Sequence, residues 1–152
     1  MEEGLVQIYS GEGHGKSAAA IGRALQVACN GENVVIIRFL KGMRNDGFLK
    51  RLEPEIKIFQ QEEIHNIKNG LNFAKKVLTT GECSLLILDE VLGLIDNGII
   101  SVEDLQRIVE AKADDVGIIM TGIHLEDKVC ELADEISKIE EVNYKIFRHS
   151  IQ

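Results

Sequence analysis

Short, almost unbroken apolar runs punctuate the chain, and the stretches between them carry hydrophobic residues three and four positions apart. The runs "LVQIY" (5–9), "NVVIIRFL" (33–40), "SLLILDE" (84–90) and "GIIMTG" (117–122) have the length of strands. A strand with one wet face alternates apolar and polar residues; "NVVIIRFL" scarcely does, so it predicts a strand buried on both faces, with "GIIMTG" another buried strand and "SLLILDE" the strongest of the set. "IKIF" (56–59) predicts a weaker third strand, and "ISKIE" (136–140) and "YKIF" (144–147) predict edge strands. A helix is predicted from Lys16 to Cys29, with Ile21, Leu25 and Ala28 on one face. Leu49 to Glu53 reads as a short helical piece halted by Pro54, the only proline. Helical spacing continues from Leu71 to Leu78 and again from Glu126 to Ala133. Between them, Val102 to Ala113 predicts a helix N-capped by Ser101, with Leu105, Ile108 and Val109 facing inward. Strand and helix alternate. That order predicts an α/β fold, a mostly parallel sheet with helices on both faces, which binds ligands at the carboxyl ends of its strands.

Length and composition narrow the class without changing this picture. A chain of 152 residues fits one domain, 1–152, with a substantial core. No apolar run approaches the ~18–20 residues of a membrane span, and the first residues lack the pattern of a secretion signal. The cytoplasm is the expected location, with no membrane partner. Seventeen basic against 25 acidic residues give a net charge of −8, an unpromising field for nucleic acid. The imbalance is uneven: residues 1–44 hold five basic and four acidic side chains, so an anionic ligand meets least repulsion there. Cys29, Cys83 and Cys130 are far apart and odd in number, and are read as reduced core thiols. His14, His65, His124 and His149 are equally scattered and make no metal cluster by spacing.

The first strand ends in "SGEGHGKS", residues 10–17, before the helix begins. The phosphate-loop pattern is G-x-x-x-x-G-K-[ST]; Gly15, Lys16 and Ser17 fill its last three places, and Ser10 stands at the first. Gly11 and Gly13 still let the backbone fold tightly and turn its N–H groups inward. Those amides, the helix start and the Lys16 ammonium form a cradle for a polyphosphate, to which Ser10, Gly11, Glu12, Gly13, His14, Gly15, Lys16, Ser17 and Ala18 are assigned. Ser17 would place its hydroxyl on Mg²⁺. The strand "LLILDE" supplies Asp89 and Glu90 at its carboxyl end, where such carboxylates hold Mg²⁺ directly or through water. Together these halves predict Mg²⁺–ATP binding. Taken alone, they leave open an ATPase in which Glu90 activates water, while no acceptor site or base points to a kinase.

Four stretches taken together, "SGEGHGKSAAAIGRAL", "NVVIIRFLKG", "LLILDEVLGLIDNGII" and "GIIMTG…LADEISKI", resemble the ATP:corrinoid adenosyltransferases of the phosphate-loop type. That family shows a T-G-x-G-x-G-K-T-T-A-A loop and a Q-F-x-K-G strand end, matched here by Arg38-Phe39-Leu40-Lys41-Gly42. Its L-D-E strand is followed by a glycine at the spacing of Glu90 and Gly98, then by T-G and A-D, as at Thr121-Gly122 and Ala133-Asp134. The resemblance runs from about residue 5 to 140, with residues 43–70 aligning poorly. It implies a P-loop nucleotide-hydrolase-like, RecA-like fold, and a reduced Co(I) corrinoid that attacks the 5′ carbon of ATP and expels tripolyphosphate. In that chemistry Lys16, Lys41 and Glu90 are catalytic, and Ser17, Asp89 and Glu90 hold the metal. Phe39 and Met43, with Leu40 and Phe48, are candidates for an apolar shelf under the corrin ring. Arg38 is read as a surface or sheet-edge ion pair. The resemblance also implies a homodimer. Two departures, Ile123 where the family reads T-G-R and the lack of any tryptophan, keep a second reading open. It is a non-transferring ATP-binding or ATPase module that regulates or delivers a partner.

Overall fold

A computed structural model describes residues 4–39, 50–61 and 64–150. Strands β1 (Val6–Ser10), β2 (Val34–Phe39), β3 (Ile56–Gln61), β4 (Leu85–Asp89), β5 (Gly117–Gly122) and β6 (Glu135–Lys138) form one sheet in the order β3-β2-β4-β5-β1-β6. All neighbours are parallel. The acidic strand β4 thus stands one strand away from β1, with β5 between them, the RecA-like arrangement. β2, β4 and β5 are interior strands, which is why their sequences are continuously apolar.

Helices cover both faces. On one lies α1 (Lys16–Cys29), which buries Ala20 and Ala24 against Val34, Ile36, Leu85, Ile87 and Ile119. These small side chains let the helix axis approach the sheet closely. Of the residues expected to share one face, Ile21 and Ala28 pack partly buried against this layer while Leu25 is exposed, because Ala20 and Ala24 define the buried stripe. The opposite face carries α2 (Ile64–Thr80), α3 (Val91–Asp96), α4 (Val102–Ala111) and the single turn α5 (Asp127–Cys130). Its core joins Ile8, Ile37, Leu88 and Met120 to Leu78, Leu92, Leu94, Leu105 and Ile108. Helix α2 is longer than its expected 71–78, and α5 is shorter than 126–133.

Two helix ends are set by short-range chemistry. Gly98 has φ 69°, a left-handed conformation that costs glycine little. It lets the Gly98 and Ile99 N–H groups donate to Ile95 O at 3.0 Å and Leu94 O at 2.8 Å, closing α3 in a Schellman turn. At α4, Ser101 Oγ accepts the Asp104 N–H at 3.2 Å while the Ser101 N–H donates to Asp104 Oδ2 at 2.9 Å. That backbone bond holds the Asp104 carboxyl below its ordinary range. The linked stability is therefore full above the ordinary aspartate pKa and is lost as pH falls through the depressed one. Ser101→Ala is expected to cost about 1 kcal/mol in urea denaturation at neutral pH.

Three further expectations are corrected. "YKIF" lies in a helix, α6 (Tyr144–Ser150), not an edge strand. Cys29 is exposed at the end of α1 and Cys130 half-buried; Cys83 alone is a core thiol, pushed by burial up to about 11. Arg38 is 1% exposed in β2, an interior strand flanked by β3 and β4, so it is no surface or edge residue. Among the described residues, no helix is long and apolar enough to cross a membrane.

Candidate nucleotide site

Strand alternation puts the site on the face covered by α1. Along β2 and β4, Val34, Ile36, Leu85 and Ile87 point into that layer, so the next residues in step, Arg38 and Asp89, share the same face. The register pairs Arg38 with Asp89, and pairs Leu88 with Met120, which brings Asp89 beside Thr121. Apolar layers thus give way to a polar row, Arg38–Asp89–Thr121, at the carboxyl ends of three adjacent strands. The start of α1 arrives over this row.

The row is bonded to the loop. Ser17 Oγ and Thr121 Oγ1 each donate to Asp89 Oδ1 at 2.8 Å. Asp89 Oδ2 lies 3.8 Å from the Arg38 Nε, both side chains being buried. Thr121 Oγ1 in turn accepts the Glu90 N–H at 2.8 Å. One buried carboxylate therefore ties together β2, β4, β5 and the phosphate loop.

The start of α1 is left uncapped. Gly15, at the N-cap of α1, has no side chain to bond the helix's first N–H groups, and no acidic residue stands in the first turn. Uncapped amides at a helix start favour a phosphate. Lys16 is 8% exposed, its Nζ donating to Gly13 O at 3.3 Å, so the ammonium folds back over its own loop. Gly11 has φ 132°, and a Cβ there would collide with the Ile139 carbonyl oxygen. The Gly11 N–H donates to Gly122 O at 3.3 Å, and the Ile139 N–H donates to Ser10 O at 2.7 Å. Ser10 and Gly13 are buried, while Glu12, His14 and Ala18 are exposed. A cavity of about 720 Å³ opens beside the loop toward the ends of β5 and β6, reaching Ile123, Leu125 and Ile139.

Glu90 occupies a strained position, φ 63° without being glycine, at the N-cap of α3. Such outliers cost roughly 1–3 kcal/mol and cluster at functional sites. Burial pushes its carboxyl above the usual range; Lys16 opposes the shift, and Asp89 and Asp96 add to it. A raised folded-state pKa means that the linked stability is full below the ordinary glutamate value and is lost as pH rises through the raised one. Glu90→Gln is accordingly expected to raise Tm by up to about 3 °C at pH 7. Melting curves at pH 4 and pH 7 check it, since the gain should vanish at the lower pH.

The oxygens of Ser17, Asp89 and Glu90 suit a hard cation such as Mg²⁺, which takes one or two carboxylates plus substrate phosphates. Among the described residues no group of three or more His, Cys, Asp or Glu gathers as a metal site.

Among the remaining expected site residues, Phe39 is fully buried in the core, so its ring packs and offers no open shelf. Lys41 and Met43, with Leu40 and Phe48, lie outside the described residues. Two participants were not assigned to the site from sequence, Thr121 and Arg38 as Asp89's partner. The available signal was a polar residue closing an otherwise apolar strand at the same depth as Asp89.

The family described as ATP:corrinoid adenosyltransferase BtuR/CobO/CobP matches the chain over residues 2–152. The chain is 28% identical to the uncharacterized protein all2391 of Nostoc sp., covering 93% of this chain but 45% of that longer one. It is 24% identical to the corrinoid adenosyltransferase of Escherichia coli K12, covering 94% and 80% respectively. The match to corrinoid adenosyltransferase CobA of Salmonella typhimurium is 25% identical, over 94% and 80%. Among solved structures, the KaiC-like protein PH0186 of Pyrococcus horikoshii superposes with TM-score 0.68 at 20% identity, covering 94% of this chain and 76% of that one, which shows the fold alone. With the loop, the acidic strand end and a match along nearly its whole length, the chain belongs to the ATP:corrinoid adenosyltransferase BtuR/CobO/CobP family, a family of transferases.

Proposed function

We propose that the protein transfers the 5′-deoxyadenosyl group of Mg²⁺–ATP to a reduced Co(I) corrinoid, with tripolyphosphate as the leaving group. The observation that carries this reading is the Ser17–Asp89–Thr121 linkage, which joins an uncapped phosphate loop to an acidic strand end in a chain of this family. The cobalt electron pair forms the Co–C5′ bond, and the C5′–O pair leaves with the phosphate oxygen. Charge therefore grows on the polyphosphate as the bond breaks. Loop amides and Lys16 are fixed around the place where it grows, and preorganised donors lower a barrier most there. Ser17, Asp89 and Glu90 would hold Mg²⁺, which neutralises phosphate charge when bound. Lys41 belongs on this reading near the phosphates or ribose, and Met43 near the corrin ring. The protein works as a homodimer in the cytoplasm, a partner chain helping to close the site.

Ile123 favours a second reading. It is 44% exposed directly after Thr121-Gly122, where the family pattern places an arginine. A nucleotide-binding module or slow ATPase would tolerate that loss more easily than a transferase.

The deciding experiment mixes protein, Mg²⁺–ATP and chemically reduced corrinoid without oxygen, then identifies the phosphate product and photolyses the corrinoid. Tripolyphosphate together with a light-sensitive cobalt adduct supports transfer. ADP and orthophosphate, or ATP binding with no turnover, would overturn it in favour of the module.

A further inference from the structure

The chain's own C-terminal segment lies against the phosphate loop. After β6 the backbone runs back across it: the Ile139 N–H is bonded to Ser10 O, and Cβ atoms at Gly11 and Gly13 would press on Ile139 and Glu141. Glu141 then turns its carboxylate toward the loop. Its Oε1 accepts the His14 backbone N–H at 3.0 Å and lies 3.9 Å from the His14 Nε2.

His14 lies within the glycine-rich run whose successive amides suit a phosphate. A carboxylate on one of these amides is an intramolecular anion on the nucleotide's own grip. Two anionic oxygens cannot share that N–H, and their charges repel at this range. We infer that Glu141 is a latch, an internal phosphate surrogate that polyphosphate must displace from the His14 amide. Displacement frees the segment beyond Ile139, in which Val142, Tyr144 and Ile146 are 63–68% exposed. Loop occupancy is thereby coupled to release of the segment that carries these exposed apolar side chains. The inference rests on the phosphate-binding half of the proposed function and not on transfer to cobalt.

Binding of inorganic tripolyphosphate and of Mg²⁺–ATP, measured by calorimetry on the full chain, tests it. Glu141→Ala should bind both roughly three- to tenfold more tightly than wild type, and Glu141→Gln should fall between them. Glu140→Ala, which removes the neighbouring charge, should change affinity less than Glu141→Ala. Trypsin cleavage at Lys145 and Arg148 in the wild-type chain should accelerate when tripolyphosphate is added. Unchanged or weaker binding by Glu141→Ala, equal gains from Glu140→Ala, or slower tail cleavage with ligand would each overturn the latch. Lys16→Ala separates the two failures. If it binds tripolyphosphate like wild type, the phosphate grip itself fails; if it loses binding while Glu141→Ala changes nothing, only the latch fails.

Discussion

Lys16→Ala is expected to reduce adenosyl transfer, measured as kcat/KM for Mg²⁺–ATP, by at least 10²- to 10³-fold. The figure follows from the ~3–4 kcal/mol typical of one preorganised donor to a developing anion. Lys16 exceeds an ordinary donor in one respect: it is a nearly buried cation at the start of α1, held over the loop by Gly13 O. A polyphosphate that gains charge as C5′–O breaks would lose its fixed counter-charge. Lys16→Arg should restore little, because a planar guanidinium is broader than an ammonium and cannot occupy the same position over the loop. The fold should survive both changes, so the melting temperature of each variant should stay within about 3 °C of wild type. Activity within tenfold of wild type in Lys16→Ala would show that the loop does not grip the leaving group.

Asp89→Ala should be the most destabilising change in the site, by roughly 3–5 kcal/mol, the usual cost of breaking a buried charge pair from one side. Asp89 faces the buried Arg38 guanidinium and accepts from Ser17 and Thr121. Its loss removes a carboxylate from that guanidinium and leaves two hydroxyls to find other acceptors. A fall in Tm of about 10 °C or more is expected. Asp89→Asn separates structure from chemistry. Its amide oxygen still accepts from Ser17 and Thr121, so most of the fold should be retained, while the charge facing Arg38 and a bound cation is gone. Transfer should fall more than tenfold with a much smaller shift in Tm. An Asp89→Ala variant that melts like wild type would show that the polar row does not brace the sheet.

Much of the architecture was legible because its causes are local or periodic. Runs such as "NVVIIRFL" and "GIIMTG" lack alternation since β2 and β5 are interior strands of a parallel sheet, and that signal survives without knowing their neighbours. Ser101 announces the start of α4 through bonds to a residue three positions away. "YKIF" failed for the opposite reason. Four residues fit a strand or one turn of helix equally well, and Tyr144 and Ile146 are exposed in α6, so neither marks an inward face.

The sequence by itself determined the phosphate loop, the acidic strand end and the parallel α/β class. Glycine freedom, an uncapped helix start and the pattern of strand burial are properties of contiguous residues. Only the tertiary structure decided which groups meet there. Arg38 became Asp89's buried neighbour because β2 and β4 pair in one register, and a slip of one residue would have turned it to the other face. Thr121 reached Asp89 because β5 lies beside β4, and Glu141 reached the His14 amide across a separation of 127 residues. Register and strand order are set by the packing of the whole sheet, and no short stretch of residues encodes them.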